Sequence, residues 1–190
     1  MARIPYFDPG NASPEVLEEL DKLPHLKRMN LMRMVAQADS IFVYCLGFGG
    51  RLLTQLSLDM KLIELAILLV SRRTEADYVW NQHAAIARAI GVTQEQIDAV
   101  EKDELGADCF DADAQAVLGF TSAALASPRV DEGTFAAVRA SLTPPEIVEL
   151  LLVIGNYFML ARITTTLEVD PDDALGGLAI DEATNTIEQG

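Results

Sequence analysis

Two apolar helical segments joined by a short turn constrain the fold of this chain more than any other feature. The spacing of apolar residues predicts helices over 58–73 and 77–90, which a three-residue turn joins into an antiparallel hairpin. Glu64 lies ten residues before the turn, and His83 lies seven residues after it. Because an α-helix rises about 1.5 Å per residue, the two side chains reach similar heights along the hairpin. We therefore expect a carboxylate and an imidazole to face each other in one buried pocket.

Composition and helix start signals extend the helical prediction to the rest of the chain. The sequence has 190 residues, enough for one domain with a full core, and 50% of them are apolar, whereas only 6% are aromatic. Ala and Leu outnumber the aromatic residues and Thr, which favour strands. Caps and apolar spacing predict that further helices begin at Ser13, Met29, Asp39, Thr93, Asp111 or Asp113, Asp131 and Thr143. The expected fold is all-α, with the hairpin at its centre and no strand.

The chain changes character after Val169. The last residues carry six acidic side chains and no Lys or Arg: Asp170, Asp172, Asp173, Asp181, Glu182 and Glu188. Such a composition is typical of a segment that does not bury its own core. We therefore divide the chain into a helical domain over 1–169 and an acidic C-terminal tail over 170–190. The tail is expected to be solvated or to be ordered on a neighbouring subunit.

The net charge of -15 argues against nucleic acid as a partner, because phosphate backbones are bound by clusters of Lys and Arg that this chain lacks. An anionic membrane surface is disfavoured for the same reason. The longest apolar stretch, estimated as 147–161, contains Glu149 and Asn156. It is expected to be too short and too polar for a bilayer, which needs about 20 apolar residues. Residues 1–10 lack the apolar core of a signal peptide, so no targeting segment is expected there.

The two cysteines, Cys45 and Cys109, are far apart and have no partner at the spacing of a metal or redox motif. No disulfide and no metal site is expected, and a reducing cytoplasm is the simplest location. Cys45 is expected to behave as a small buried hydrophobe, with a position near the pocket as the alternative. It stands in a glycine-rich helix with Gly47, Gly49 and Gly50. We expect these glycines to allow close helix packing, with pocket lining as the alternative.

The hairpin also carries a family resemblance. Residues 64–92 resemble the carboxymuconolactone decarboxylase and alkylhydroperoxidase D-like (AhpD-like) superfamily, in the pattern L-x-E-L-A-I-L before the turn and Y-x-W-x-x-H after it. Peroxidatic members carry a Glu, then eleven residues, then C-x-x-C-x-x-x-H. Counted back from His83, the glutamate falls on Glu64, whereas the cysteine positions fall on Ala76 and Val79. The resemblance covers roughly residues 1–170, and it implies an AhpD-like helical bundle that assembles into homotrimers or homohexamers.

The departures from the family pattern matter as much as the matches. Dithiol peroxidase chemistry needs one thiolate to attack the peroxide and a second thiol to resolve the sulfenic acid, and Ala76 and Val79 can do neither. Many decarboxylase-like members also have a glutamate four residues before the histidine, where this chain has Val79. A thiol-dependent hydroperoxidase is therefore the least favoured function.

The remaining candidates imply acid–base chemistry without a cofactor. His83 is the expected acid or base, Glu64 is its partner, and Tyr78 is a second proton donor. The resemblance implies a lyase or isomerase whose substrate is a small lactone, β-keto acid or cyclic enol. Trp80 is expected to shape the substrate pocket, and Arg162, or else Arg72, to hold a substrate carboxylate.

Each candidate also has a purely structural interpretation. His83 lies on the apolar face of its helix, where a histidine bonded to a neighbouring carbonyl or carboxylate is common. Glu64 and Lys61 are spaced to form a solvated ion pair. Tyr78 and Trp80 are more often packing residues than ligand contacts. The alternative function is a non-catalytic relative that binds a small apolar ligand or serves assembly, and a closed cavity with Glu64 pointing to solvent would favour it.

Overall fold

The computed structural model describes residues 1–8, 10, 12–23 and 25–188. In that part of the chain it contains ten α-helices, a short 3₁₀ helix at Leu26–Arg28 and no strand, so the all-α prediction is confirmed. The α-helices are α1 (Pro14–Asp21), α2 (Asn30–Val35), α3 (Asp39–Thr54), α4 (Met60–Arg73), α5 (Asp77–Ala89), α6 (Gln94–Glu101), α7 (Ala112–Ala126), α8 (Glu132–Ser141), α9 (Pro144–Thr166) and α10 (Gly177–Glu188). The predicted helix starts and ends differ from these bounds by a few residues only.

Helices α4 and α5 form the predicted antiparallel hairpin at the centre of the molecule. The side chain of Asp59 accepts hydrogen bonds from the backbone N–H groups of Lys61 and Leu62, which sets the first turn of α4. Every residue from Ile63 to Ser71 is buried. A helix that is apolar on all sides belongs in the centre of a bundle. Helices α5, α6, α7 and α9 all pack around α4.

Helix α9 crosses α4 and supplies one side of the core. It begins with the predicted capping box of Thr143 and Glu146 and continues for 23 residues, so it is longer than the estimated apolar stretch. By length and composition alone α9 could cross a membrane, a criterion that core helices also meet. Its inner face packs on α4, while five large apolar side chains are exposed: Val148, Leu151, Leu152, Phe158 and Met159. The expected homo-oligomer stays a prediction.

The acidic C-terminal segment packs on its own chain, which corrects the expectation of a solvated tail or an arm on a neighbouring subunit. Asp172 accepts hydrogen bonds from the Tyr78 hydroxyl and from the backbone N–H of Asn30. Glu182 accepts from the backbone N–H groups of His25 and Leu26 at 2.7 and 2.8 Å. Helix α10 lies against α3 and α5. These carboxylates accept hydrogen bonds from backbone N–H groups and from a tyrosine hydroxyl, so they need no Lys or Arg as partners. The absence of basic residues from the segment therefore did not indicate a solvated tail.

Replacing Tyr78 with Phe is expected to loosen the segment 170–184. A hydrogen bond to a charged group contributes about 1.5–3 kcal/mol, and the substitution removes the bond from Tyr78 to Asp172 without changing the ring. Amide hydrogen exchange in 170–184 should become faster, while exchange in α4 stays slow. Tyr44→Phe is the matched control, because the Tyr44 side chain is exposed. Equal exchange in the two variants would contradict the proposed anchoring.

Candidate functional site

A cavity of ≈ 540 Å³ lies beside the hairpin, enclosed by α3, α5, α9, α10 and the N-terminal helices. Most of its lining residues are apolar, with Leu, Ile and Met the most frequent. Five polar or aromatic side chains on α5 and α9 interrupt this apolar surface: Tyr78, Gln82, His83, Asn156 and Tyr157. Among the described residues, no Lys or Arg lines the cavity. The site is therefore a largely apolar cavity, large enough for a small-molecule ligand, with a cluster of polar side chains from α5 and α9 in its wall.

Glu64 and His83 meet inside the protein, as the hairpin spacing predicts. The Nδ1 atom of His83 lies 2.9 Å from Oε2 of Glu64. Glu64 is 0% exposed and His83 is 7% exposed, and His83 lines the cavity. The alternative of a solvated pair between Glu64 and Lys61 is wrong, because Glu64 is fully buried and Lys61 is exposed. The chemical role of the Glu64–His83 pair stays a prediction at this point.

The hydrogen bond between Glu64 and His83 determines which ring nitrogen of the imidazole is left for a substrate. An ionised Glu64 carboxylate would only accept hydrogen bonds, and Nδ1 of His83 would then carry the proton and donate it to Glu64. In a neutral ring the lone pair is then on Nε2, on the opposite side of the imidazole. Nε2 has no hydrogen-bond partner among the described side chains and backbone groups. This arrangement, in which a buried carboxylate orients a histidine base, recurs in enzymes of unrelated fold.

Tyr157 on α9 is a site residue that the sequence analysis did not assign. Its ring lies edge-on to the His83 ring, with centroids 4.7 Å apart and planes at 84°. Burial, and the nearby charge of Glu64, raise the pKa of Tyr157 well above its ordinary value of 10.0. The hydroxyl therefore stays protonated and serves as a hydrogen-bond donor rather than as a base. The signal that could have found it is the polar pair Asn156-Tyr157 inside an otherwise apolar helix.

Asn156 was likewise treated only as a polar interruption of the apolar helix. Its side chain is 7% exposed and lines the cavity beside Tyr157. The amide nitrogen Nδ2 is buried and has no hydrogen-bond partner in the described part of the chain. Burying an unsatisfied donor costs about 1–3 kcal/mol. The amide group is therefore an unfavourable feature of the fold that needs an explanation.

Tyr78 lines the same cavity, but its hydroxyl is engaged in the fold. It donates to Asp172 and accepts a hydrogen bond of 3.2 Å from the backbone N–H of Leu31. Burial, followed by the bond to Asp172, raises the pKa of Tyr78. The structure thus gives the hydroxyl two partners that hold the C-terminal segment and α2 in place. The predicted role as a second proton donor has no support from this geometry.

The residues expected to contact substrate lie elsewhere. Trp80 packs against buried apolar side chains of α4 and α6, and it is not among the residues that line the cavity. Arg162 is exposed, and its guanidinium carbon lies 4.7 Å above the ring of Phe158. Arg72 is also exposed and donates from Nε to the backbone carbonyl of Glu101. The structure does not bring these three side chains to the cavity lining, and their predicted roles in substrate binding stay predictions.

The glycine-rich helix α3 forms the opposite wall. A Cβ atom built on Gly49 meets nothing within 4 Å, and one built on Gly47 meets only the side chain of Arg51 at 3.3 Å. The expectation of close helix packing at these positions is wrong, and the alternative, pocket lining, is what the structure shows for Gly47, Gly49 and Gly50. Cys45 lines the cavity too and is partly exposed, contrary to its expected role as a buried hydrophobe.

The two positions that carry cysteines in peroxidatic family members hold buried apolar residues in this structure. Ala76 and Val79 are both buried, and Val79 lines the cavity near His83. In the described ranges, no group of three or more His, Cys, Asp and Glu side chains is placed to hold a metal ion. The chemically competent groups that α3, α5 and α9 bring to the cavity are therefore the imidazole with its Glu64 carboxylate, two phenols, two amides and one thiol. Glu19 and Gln37 add a further carboxylate and a further amide elsewhere in the lining.

Comparisons with known proteins agree with this architecture. Residues 43–123 match the carboxymuconolactone decarboxylase family, and this segment contains both Glu64 and His83. A peroxidase-related protein from Ralstonia eutropha with an alkylhydroperoxidase AhpD core has 21% identity and a TM-score of 0.76, covering 90% of this chain and 93% of its own. A second peroxidase-related protein, from Silicibacter sp., has 17% identity and a TM-score of 0.75, covering 90% of each chain.

A third similar structure is a cysteine-to-alanine variant of the debrominase Bmp8 in complex with 2,3,4-tribromopyrrole. It has 14% identity and a TM-score of 0.71, and the alignment covers 100% of this chain and 99% of that one. No curated protein sequence matches the chain. The family match over residues 43–123 and the shared helical fold both support the resemblance to the carboxymuconolactone decarboxylase and AhpD-like superfamily.

Proposed function

We propose that this protein is an acid–base enzyme, an isomerase or lyase, that moves a proton on a small neutral carbonyl compound such as an enol lactone. The observation that carries the proposal is the Glu64–His83 pair, held at 2.9 Å on the polar side of an otherwise apolar cavity. Proton transfer by a positioned side chain typically contributes about 10²–10⁴-fold to a rate. The family match supports an enzyme of this general kind.

The lining of the cavity favours a neutral substrate over a carboxylate. A carboxylate that leaves water for an apolar site needs a cationic or multiple hydrogen-bonding partner, and no described Lys or Arg lines the cavity. The fully buried Glu64 places a further acidic group beside His83. Among the substrates considered from the sequence, the lactone and the cyclic enol therefore fit better than the β-keto acid. Bmp8, which has the same fold, is in complex with a small ring compound, 2,3,4-tribromopyrrole.

The pair acts through the nitrogen that faces away from the carboxylate. Nε2 of His83 removes a proton from the carbon next to the substrate carbonyl, and the imidazolium that forms is stabilised by Glu64. The electron pair of the broken C–H bond moves into the carbonyl group to form an enolate. His83 then returns the proton to another carbon of the conjugated system, and the base is regenerated. Tyr157 packs edge-on against the imidazole and keeps the ring in this orientation.

A non-catalytic ligand-binding protein is the second candidate, because the cavity is largely apolar. The arrangement that favours it from the sequence, with Glu64 pointing to solvent, is not the one observed. A dithiol peroxidase has less support. The thiol of Cys45 lines the cavity, but Ala76 and Val79 occupy the positions of the family's cysteine pair. A single thiol cannot both attack a peroxide and resolve the sulfenic acid.

The proposal is tested with two probes that differ in charge. We expect the protein to convert α-angelica lactone, a neutral enol lactone, into its conjugated isomer, measured by the rise in ultraviolet absorbance, and to leave the anion acetoacetate unchanged, measured by release of carbon dioxide. The physical reason is that the cavity desolvates a substrate without offering a cation. Decarboxylation of acetoacetate with no isomerisation of the lactone would contradict the proposed substrate class.

A further inference from the structure

We infer that Asn156 binds the substrate's carbonyl oxygen and donates a hydrogen bond from Nδ2 to the enolate that forms there. This inference rests on the proposed function and deepens it. Asn156 lies on α9, next in sequence to Tyr157, whose ring contacts His83, and all three residues line the same cavity. The amide thus stands on the same polar side of the cavity as the proposed base.

The amide side chains that α5 and α9 contribute to the cavity, Gln82 and Asn156, differ in their hydrogen bonds. Gln82 on α5 is also buried and lines the cavity, but the C-terminal segment satisfies both ends of its amide. Its Nε2 donates to the backbone carbonyls of Asp172 and Asp173, and its Oε1 accepts from the backbone N–H of Leu175. Asn156 is 7% exposed, and its Nδ2 is buried without a partner in the described residues. The fold therefore satisfies one amide and leaves a donor of the other buried without a partner, on a residue that lines the cavity.

A buried, unsatisfied amide is a poor choice for stability alone. Leu has nearly the same shape as Asn and carries no polar atoms, so it would suit an apolar helix better at this position. An amide that lines a cavity, however, gains its missing hydrogen bond when a ligand oxygen arrives. The donor is strongest for an oxygen that becomes negatively charged, and a donor aimed at such an oxygen inside a dry site is a main source of rate enhancement. No charged donor lines the described cavity, so the amide is suited to this task.

The proposed proton transfer needs only the residues of the site and the substrate itself. In α-angelica lactone, Nε2 of His83 takes a proton from the carbon between the carbonyl and the ring double bond. The freed electron pair forms a new double bond within the ring, and the carbonyl oxygen gains the negative charge that Nδ2 of Asn156 stabilises. The proton then returns to the far end of the original double bond, which yields the conjugated lactone. No oxidant, reductant or second substrate is consumed.

The inference is tested by three substitutions in the full chain. Asn156→Leu removes the amide at nearly constant shape, Asn156→Gln keeps an amide, and Asn81→Leu makes the same chemical change at an exposed position of α5. We expect Asn156→Leu to lower kcat for α-angelica lactone about 10²–10³-fold, with a smaller change in KM. Its melting midpoint should rise, by about 2–4 °C, because an unsatisfied polar group has been removed. Asn156→Gln should recover part of the activity, and Asn81→Leu should keep all of it.

A second readout does not depend on turnover. Para-nitrophenol is a neutral ring compound whose ionised form carries a phenolate oxygen and absorbs visible light. Wild-type protein should bind it and stabilise the phenolate relative to the Asn156→Leu variant, which shifts the apparent pKa of the bound probe upward in that variant. A purely structural role of Asn156 would not change this spectroscopic signature.

The outcomes separate this inference from the proposed function. If wild-type protein and a His83→Asn variant isomerise the lactone equally, the proposed function fails, and para-nitrophenol alone decides the role of Asn156. If His83→Asn abolishes turnover but Asn156→Leu retains it within about twofold, the proposed function stands and the inference is overturned. A lower melting midpoint in Asn156→Leu, with equal para-nitrophenol spectra, also overturns it. Failure of the wild-type protein to bind para-nitrophenol also overturns the inference, whereas failure of the wild-type protein to turn over the lactone overturns the proposed function.

Discussion

His83→Asn is expected to lower lactone isomerisation by about 10²–10⁴-fold while the protein stays folded. The Asn side chain can place an N–H group where Nδ1 of His83 lies, so it still donates to the buried Glu64 and does not leave that carboxylate without a partner. It has no basic nitrogen to accept a proton from the substrate, however. The loss should therefore appear mainly in kcat, measured with saturating α-angelica lactone, with the helical circular dichroism spectrum unchanged.

The chain contains a matched control for this variant. The sequence has two histidines, and the other one, His25, also interacts through Nδ1 with a carboxylate, that of Glu182. His25 is half-exposed and makes its contact at the C-terminal segment rather than at the polar side of the cavity. His25→Asn should leave the rate of proton transfer unchanged. Equal losses in the two histidine variants would show that the effect is structural and that His83 is not the base.

Glu64→Gln is expected to lower the same rate by about 10²-fold or more without lowering stability. A Gln side chain in the same position can donate its amide N–H to Nδ1 of His83, and the imidazole then carries its proton on Nε2. In that tautomer the nitrogen that faces the substrate cannot accept a proton. The imidazolium also loses its negative partner. Because Glu64 is 0% exposed, exchanging a buried charge for a neutral amide should preserve or raise the free energy of unfolding.

Glu149→Gln tests whether the loss of any hydrogen-bonded glutamate produces this result. Glu149 lies on α9 and accepts hydrogen bonds of 2.9 Å from the backbone N–H groups of Ser57 and Leu58, just before α4. Here the substitution weakens two charge-assisted hydrogen bonds, so it should lower the midpoint of urea unfolding and leave kcat unchanged. The two glutamate variants thus have opposite expected effects on stability and activity. A Glu64→Gln protein with unchanged kcat would remove the carboxylate from the proposed mechanism.

The Glu64–His83 pair shows how far the spacing of residues predicts a site. Both residues lie on consecutive helices joined by a short turn, so counting the rise from the turn was enough to place them at the same height. Apolar periodicity placed His83 on the buried face of its helix, whereas for Glu64 it left open a solvated pair with Lys61. Tyr157 and Asn156 are more than seventy positions away from His83 in sequence, and only the packing of α9 on α4 and α5 brings them to the site. No local sequence pattern predicts that these residues of α9 lie close to His83.

The differences between expectation and structure have the same cause. Trp80 and Arg162 were assigned to the pocket from their residue types, and the structure places both side chains at other surfaces of their helices. The glycines of α3 were assigned to helix packing, because no local signal shows that their helix faces a cavity rather than a neighbour. The acidic residues 170 and 172 were expected to be solvated, because their N–H and O–H donors lie 94 to 168 positions earlier in the chain.

Local sequence was sufficient for helices α1 to α9, for their caps and for the central hairpin, because those features depend on residues within a few turns of one another, whereas α10 was not predicted. It was also sufficient for the resemblance to the superfamily and for the Glu64–His83 pair, whose positions are tied together by the length of one hairpin. The cavity, the edge-on contact of Tyr157, the unsatisfied amide of Asn156 and the docking of the C-terminal segment were decided only by tertiary structure. Each of them depends on how distant helices pack, and packing is a property of matching surfaces rather than of any one segment.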